Sequence, residues 1–130
     1  MSGLLLDTTV LIDALRGRGA AARLRTLRPV DEPPFVCAIN VEELWRGVRR
    51  GEETAIRRLL RGLRIAPLGV AEGERAGRWR GDFATRGITL SQADCLIAAA
   101  AAGVGARVAT ANPKDFPMAE LVVEHWPSRS

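Results

Sequence analysis

The strongest constraint on this chain is Leu4-Leu5-Leu6 running straight into Asp7. Three consecutive leucines leave no polar face, so the segment reads as a strand buried on both sides, as at the centre of a parallel sheet. Thr8 and Thr9 then read as the cap of a helix whose apolar residues are Val10, Leu11, Ile12 and Leu15. Asp7 is thereby placed at the carboxyl end of a central strand, beside a helix N-terminus. Open α/β sheets hold their ligands just outside that edge. A plain turn role for Asp7 fits the same pattern.

Downstream, short apolar runs alternate with helical patterns. Ala20–Arg28 continues helically, and Pro29–Pro34 is a polar break. Phe35–Ile39 reads as a second buried strand, with Asn40 opening a helix that runs from Val41 to about Arg50 and ends at Gly51. Glu52–Arg61 is a further helix, and Arg64–Leu68 a strand that Pro67 assigns to an edge. A long helix spans Val70–Arg86, where Gly69, Gly73, Gly77 and Gly81 recur every fourth residue along one face. Such a ridge would admit a close helix from this chain or from a second copy. Ser91 opens the next helix, which Gly103 and Gly105 end. Arg107–Thr110 is a strand, Asn112–Phe116 a short helical turn and Leu121–Val123 a last strand. The alternation predicts an α/β fold: one domain over residues 1–130, a three-layer α/β/α sandwich around a central parallel sheet.

Composition narrows the function. No apolar run approaches the ~20 residues that span a bilayer, and no secretory leader is visible, so a cytoplasmic protein without a membrane partner is expected. Cys37 and Cys95 fall in core segments and read as buried thiols in a reducing compartment. Of the 19 basic residues only Lys114 is a lysine, and the net charge is +4. Arginine forks match phosphate oxygens, so a polyanionic partner fits, although a coding bias toward arginine would give the same count. There is no phosphate-binding Gly-x-x-x-x-Gly-Lys loop. The single histidine, His125, reads as a surface residue, and no serine or cysteine has an evident base. Trp45, Trp79 and Trp126 read as core anchors, and Asp13 as a solvent-side helix residue or a partner for Arg16.

One spacing occurs three times: Asn40-x-x-Glu43, Ser91-x-x-Asp94 and Asn112-x-x-Asp115 each place an acid three residues after a capping residue. Taken singly, each is explained by a capping box and by the helix dipole. Parallel topology adds a second reading, because Asp7, Glu43 and Asp115 would then gather at one sheet edge. Asp94 is less constrained, since it follows a loop. Carboxylates that converge without cationic partners either take up protons or bind a metal, and an all-oxygen donor set favours Mg²⁺ or Mn²⁺ over zinc.

Four blocks carry a family resemblance: Leu4–Asp13, Val41-Glu42-Glu43-Leu44 with Gly47, Gln92-Ala93-Asp94-Cys95-Leu96-Ile97, and Thr110-Ala111-Asn112-Pro113-Lys114-Asp115-Phe116. In this order and at these separations, the chain resembles the PIN-domain ribonucleases, most closely the VapC-type toxins of bacterial toxin–antitoxin pairs. The resemblance implies an RNA endonuclease dependent on Mg²⁺ or Mn²⁺. It also implies a homodimer, and a cognate VapB-type antitoxin that reaches the acidic site. Carried over by position, Asp7, Glu43 and Asp94 match the metal-binding acids, and Glu42 would face elsewhere on its helix. The fourth acidic position falls on Asn112 or Asp115: relatives often carry an acid where this chain has Asn112, while Asp115 sits three residues further on. Asn112 and Thr8 would orient water or metal, and Thr9 stands where relatives often have asparagine. Two other classes stay open at this level. One is a phospho-aspartate enzyme or receiver using Asp7, with Lys114 as its only lysine; the other is a non-catalytic RNA- or partner-binding module.

Overall fold

A computed structural model describes residues 3–25 and 32–128. The end of the Ala20–Arg28 helix and the first half of the Pro29–Pro34 break lie outside the described residues. The chain runs β1 (Leu4–Leu6), α1 (Thr8–Leu15), α2 (Gly19–Arg25), β2 (Phe35–Val36), α3 (Ala38–Arg46), α4 (Glu53–Arg61) and β3 (Arg64–Ile65). It continues with α5 (Val70–Thr85), α6 (Gln92–Gly103), β4 (Arg107–Thr110), a short 3-10 turn (Pro113–Asp115) and β5 (Val123–His125).

The five strands form one sheet in the order β3-β2-β1-β4-β5. Every neighbouring pair is parallel, with Leu5 opposite both Phe35 and Val108. β1 is thus central, as its leucines require, and β3 lies at the edge as expected, although it ends at Ile65 and does not run on through Pro67 to Leu68. Side chains alternate across a strand, and β1 divides its leucines accordingly. Leu5 enters the core beneath α5 and α6, with Trp79, Phe83, Ile97 and Val108. Leu4 and Leu6 enter the opposite core, with Val10, Leu11, Leu44, Ile56 and Trp126. These two cores are the two interfaces of an α/β/α sandwich.

Several boundaries differ from the sequence reading. β2 stops at Val36, because Cys37 already caps α3 and the helix begins three residues before Val41. α3 closes at Gly47 instead of continuing to Arg50. β5 lies two residues later than Leu121–Val123, because its register sets Val108 opposite Val123 and Thr110 opposite His125. α6 buries Cys95, Ile97 and all of Ala98–Ala101, whose short side chains let the helix lie close against the sheet. Its exit turns through Gly105 at φ +68°, a conformation glycine adopts without strain. Among the described residues the glycine ridge of α5 does not meet another helix: a Cβ added at Gly73, Gly77 or Gly81 would touch none of them within 4 Å.

Candidate functional site

The site is built at the carboxyl ends of β1 and β4. The Asp7 N–H donates to the Ala109 carbonyl at 2.9 Å, which extends the strand pairing by one residue. Its carbonyl then accepts from Val10 and Leu11 and so starts α1. The N-cap is therefore Asp7 itself, not Thr8 or Thr9. This frees both hydroxyls for side-chain work. The Thr9 hydroxyl donates to Asp7 Oδ2 at 3.0 Å, and that of Thr110, at the end of β4, donates to the same oxygen at 2.8 Å. Each threonine oxygen is fixed in turn by a backbone N–H, from Ala111 and Asn112 respectively. The Asp7 carboxylate is 5% exposed, and two hydroxyls hold it from two elements.

Glu43 arrives on α3. Its Oε1 accepts from the Thr8 hydroxyl at 2.6 Å. Glu42 points outward into an ion pair with Arg46, as its place on the helix requires. Asp94 sits at the third position of α6, where its N–H donates to Ser91 Oγ at 3.0 Å. Asp115 ends the 3-10 turn that follows β4.

Of the three repeated spacings, only Ser91-x-x-Asp94 is a side-chain cap. Asn40 lies inside α3, where its Oδ1 accepts the Cys37 N–H at 2.8 Å. Glu43 consequently lies about one turn inside the helix, a distance set by helix geometry and not by a cap. Asn112 heads the 3-10 turn without a side-chain cap bond, and its side chain is exposed. Asp13 is a second correction. It is 2% exposed and accepts the Ala20 N–H at 2.8 Å, tying the start of α2 to α1, while Arg16 pairs with Glu52.

The electrostatics link the four acids. The Asp94 carboxyl is pushed up to about 6, first by burial, and further by the charges of Asp7, Asp115 and Glu43; its bond at Ser91 opposes the rise. Among the described residues, none of these four carboxylates forms an ion pair. Nor do any three His, Cys, Asp or Glu side chains among them stand close enough to hold one ion together. The chemistry of the set nevertheless suits a hard divalent cation: carboxylate and hydroxyl oxygens whose negative charge is in no ion pair among the described residues.

Other chemistry finds no support. Burial pushes both the Cys37 and Cys95 thiols up, so neither is a ready thiolate at neutral pH. Lys114 and His125 are exposed. Trp79 and Trp126 are buried, while Trp45 is half-buried beneath Arg57. Sequence reasoning missed Asn40, Thr110 and the hydroxyl role of Thr9. The available signal was the crowding of hydroxyl and amide residues directly after β1, β2 and β4.

Fold and site together define a parallel α/β protein with four electrostatically coupled acids beside its central strand. The chain belongs to the PIN domain family, whose model matches residues 4–120. It is 32% identical over 117 residues to Ribonuclease VapC10 of Mycobacterium tuberculosis, covering 90% of this chain and 88% of that one. Among solved structures it resembles VapBC2 from Rickettsia felis bound to a DNA fragment from their promoter. That match has a TM-score of 0.84 and 22% identity, over 95% of this chain and 98% of the other. A toxin–antitoxin complex from Klebsiella pneumoniae matches with a TM-score of 0.78 and 26% identity, over 97% and 99% of the two chains.

Proposed function

We propose that this PIN-domain protein is an endoribonuclease, the toxin of a toxin–antitoxin pair, acting in the cytoplasm with Mg²⁺ or Mn²⁺. The observation that carries this reading is the charge coupling at Asp94, whose carboxyl is raised by burial and by Asp7, Asp115 and Glu43 and is in no ion pair among the described residues. The relatedness to a ribonuclease and to a toxin–antitoxin complex supports it. A VapB-type antitoxin as partner, RNA as substrate and a homodimer belong to the same reading.

Asp7, Glu43 and Asp94 would hold the metal, with Asp115 in the fourth position. Asn112 contributes its backbone N–H to Thr110 and adds no charge. A divalent ion in such a site supplies water activation and stabilises charge at the scissile phosphate. The chain's own residues do the positioning. Thr9 and Thr110 fix one oxygen of Asp7, and Ser91 fixes the helix start that presents Asp94. Arg80, an exposed residue, donates from Nε to the Leu90 carbonyl, next to Ser91, and would offer its remaining N–H groups to a phosphate of the RNA backbone.

The test is RNA cleavage by the purified chain. Asp94→Asn should keep the circular-dichroism spectrum while abolishing Mg²⁺-dependent cleavage, and a chelator should stop the wild type. Cleavage at the wild-type rate by the variant would overturn the assignment. Retention of RNA binding and of the growth phenotype in Asp7→Asn would favour a non-catalytic module.

A further inference from the structure

We propose that Asn40 is a positioning residue for Glu43, acting through the Thr8 hydroxyl; the inference rests on the nuclease reading above. Asn40 is wholly buried, lies three residues before Glu43 on α3, and touches neither Asp7 nor Asp94 through any hydrogen bond among the described residues. Its capping bond accounts for only half of its side chain. Oδ1 accepts the Cys37 N–H at 2.8 Å, and Nδ2 donates to Thr8 Oγ1 at 3.0 Å.

The direction of this chain of bonds follows from donor chemistry. A backbone N–H can only donate, so the amide oxygen must face Cys37 and the amide nitrogen must face Thr8. No alternative flip of the amide satisfies both contacts. A threonine hydroxyl carries one proton. With one lone pair already accepting from Asn40, that proton is directed to Glu43 Oε1, 2.6 Å away. The bonds therefore run one way, from the Cys37 N–H through the Asn40 amide and the Thr8 hydroxyl to the Glu43 carboxylate. Successive bonds of one direction polarise and strengthen each other.

The result is mechanical as well as electrostatic. Glu43 has a flexible side chain on a different element from Asp7, and like charges nearby favour its swinging away. A hydroxyl of fixed direction on α1 holds Oε1 in place and leaves Oε2 outside that bond. A Ser or Thr at position 40 would lack the second donor arm. Without it, the Thr8 hydroxyl could rotate away from Glu43.

The experiment follows the Glu43 carboxyl directly. In protein labelled with ¹³C at glutamate carboxyl carbons and treated with chelator, the Glu43 signal is assigned with Glu43→Gln. Asn40→Ala and Thr8→Val should each move it to the same new position, the double variant no further, and Thr8→Ser should leave it near the wild type. Asn40→Asp keeps an acceptor for the Cys37 N–H but removes the amide donor, so it should move the signal even if Asn40→Ala does not fold. In RNA-free protein, Asn40→Ala and Thr8→Val should each weaken Mn²⁺ binding about 10-fold, and the double variant no more than either single. An unmoved Glu43 signal in the Asn40 variants, additive effects of the two sites, or unchanged Mn²⁺ affinity would overturn the proposal. RNA cleavage by the wild type tests the nuclease reading independently of the chelated spectra, so the two can fail separately.

Discussion

Asp94 shows how a single carboxyl is tuned by where the chain places it. Its carboxyl lies near 6, against an ordinary value of 3.8, chiefly through burial and then through three neighbouring acids. The folded chain therefore holds this proton more tightly than the unfolded chain does. That contribution to stability is fully present below about pH 4 and is lost as the pH rises through about 6. Asp94→Asn should consequently melt higher than the wild type at pH 7.5 in chelator, by on the order of 1–2 kcal/mol after allowance for solvent screening. Near pH 4 the difference should nearly vanish. Melting curves at the two pH values check this, and an equal difference at both would show that Asp94 is not charge-strained. Asp7 is handled differently: two hydroxyls compensate its burial in place of a cation.

At the scale of elements, α3 and α6 present their acids by different devices. α6 uses a serine cap, which places Asp94 in the first turn beside the helix dipole. α3 starts on Cys37 and uses an interior asparagine to satisfy its own N-terminus. The same cap-and-acid spacing in sequence thus covers two distinct constructions, and only the hydrogen bonds separate them. α5 poses the opposite case, a regular sequence feature with no contact behind it. Ala76, Trp79 and Phe83 bury the face toward α6, while Gly73, Gly77 and Gly81 point away. Gly77→Ala should therefore stabilise the chain by about 1 kcal/mol, since alanine is the better helix former and the added methyl meets nothing. Thermal unfolding measures the gain, with gel filtration alongside. A destabilised variant with a smaller apparent mass would instead show that the ridge packs against a second copy.

For the whole molecule, the sheet order is what brings the acids toward one edge. β1 lies between β2 and β4, so the segments leaving all three strands emerge at one edge. Asp7 follows β1, Glu43 rides the helix after β2, and Asp115 follows β4. A divalent ion gathered by these acids would bind only the folded chain and stabilise it by mass action. Mn²⁺ at about 100 times its dissociation constant should add ~2.7 kcal/mol and raise the melting temperature by on the order of 10 °C. Asp94→Asn should lose most of that increment. A melting temperature indifferent to Mn²⁺ would remove the metal from the mechanism.

The sequence by itself determined the strand–helix alternation, the central place of the Leu4–Leu6 strand and the edge place of Arg64–Ile65. It also singled out four acids whose charges couple at Asp94, because buried leucine runs, a proline near a strand end and residue type are local properties that propensity and periodicity expose. Tertiary structure alone decided that Asp13 is buried against α2, that Asn40 is interior to its helix, and that Thr9 and Thr110 converge on one oxygen of Asp7. Those facts are hydrogen bonds between elements distant in the chain. Their partners are chosen by how the layers pack, which no local pattern of residues encodes.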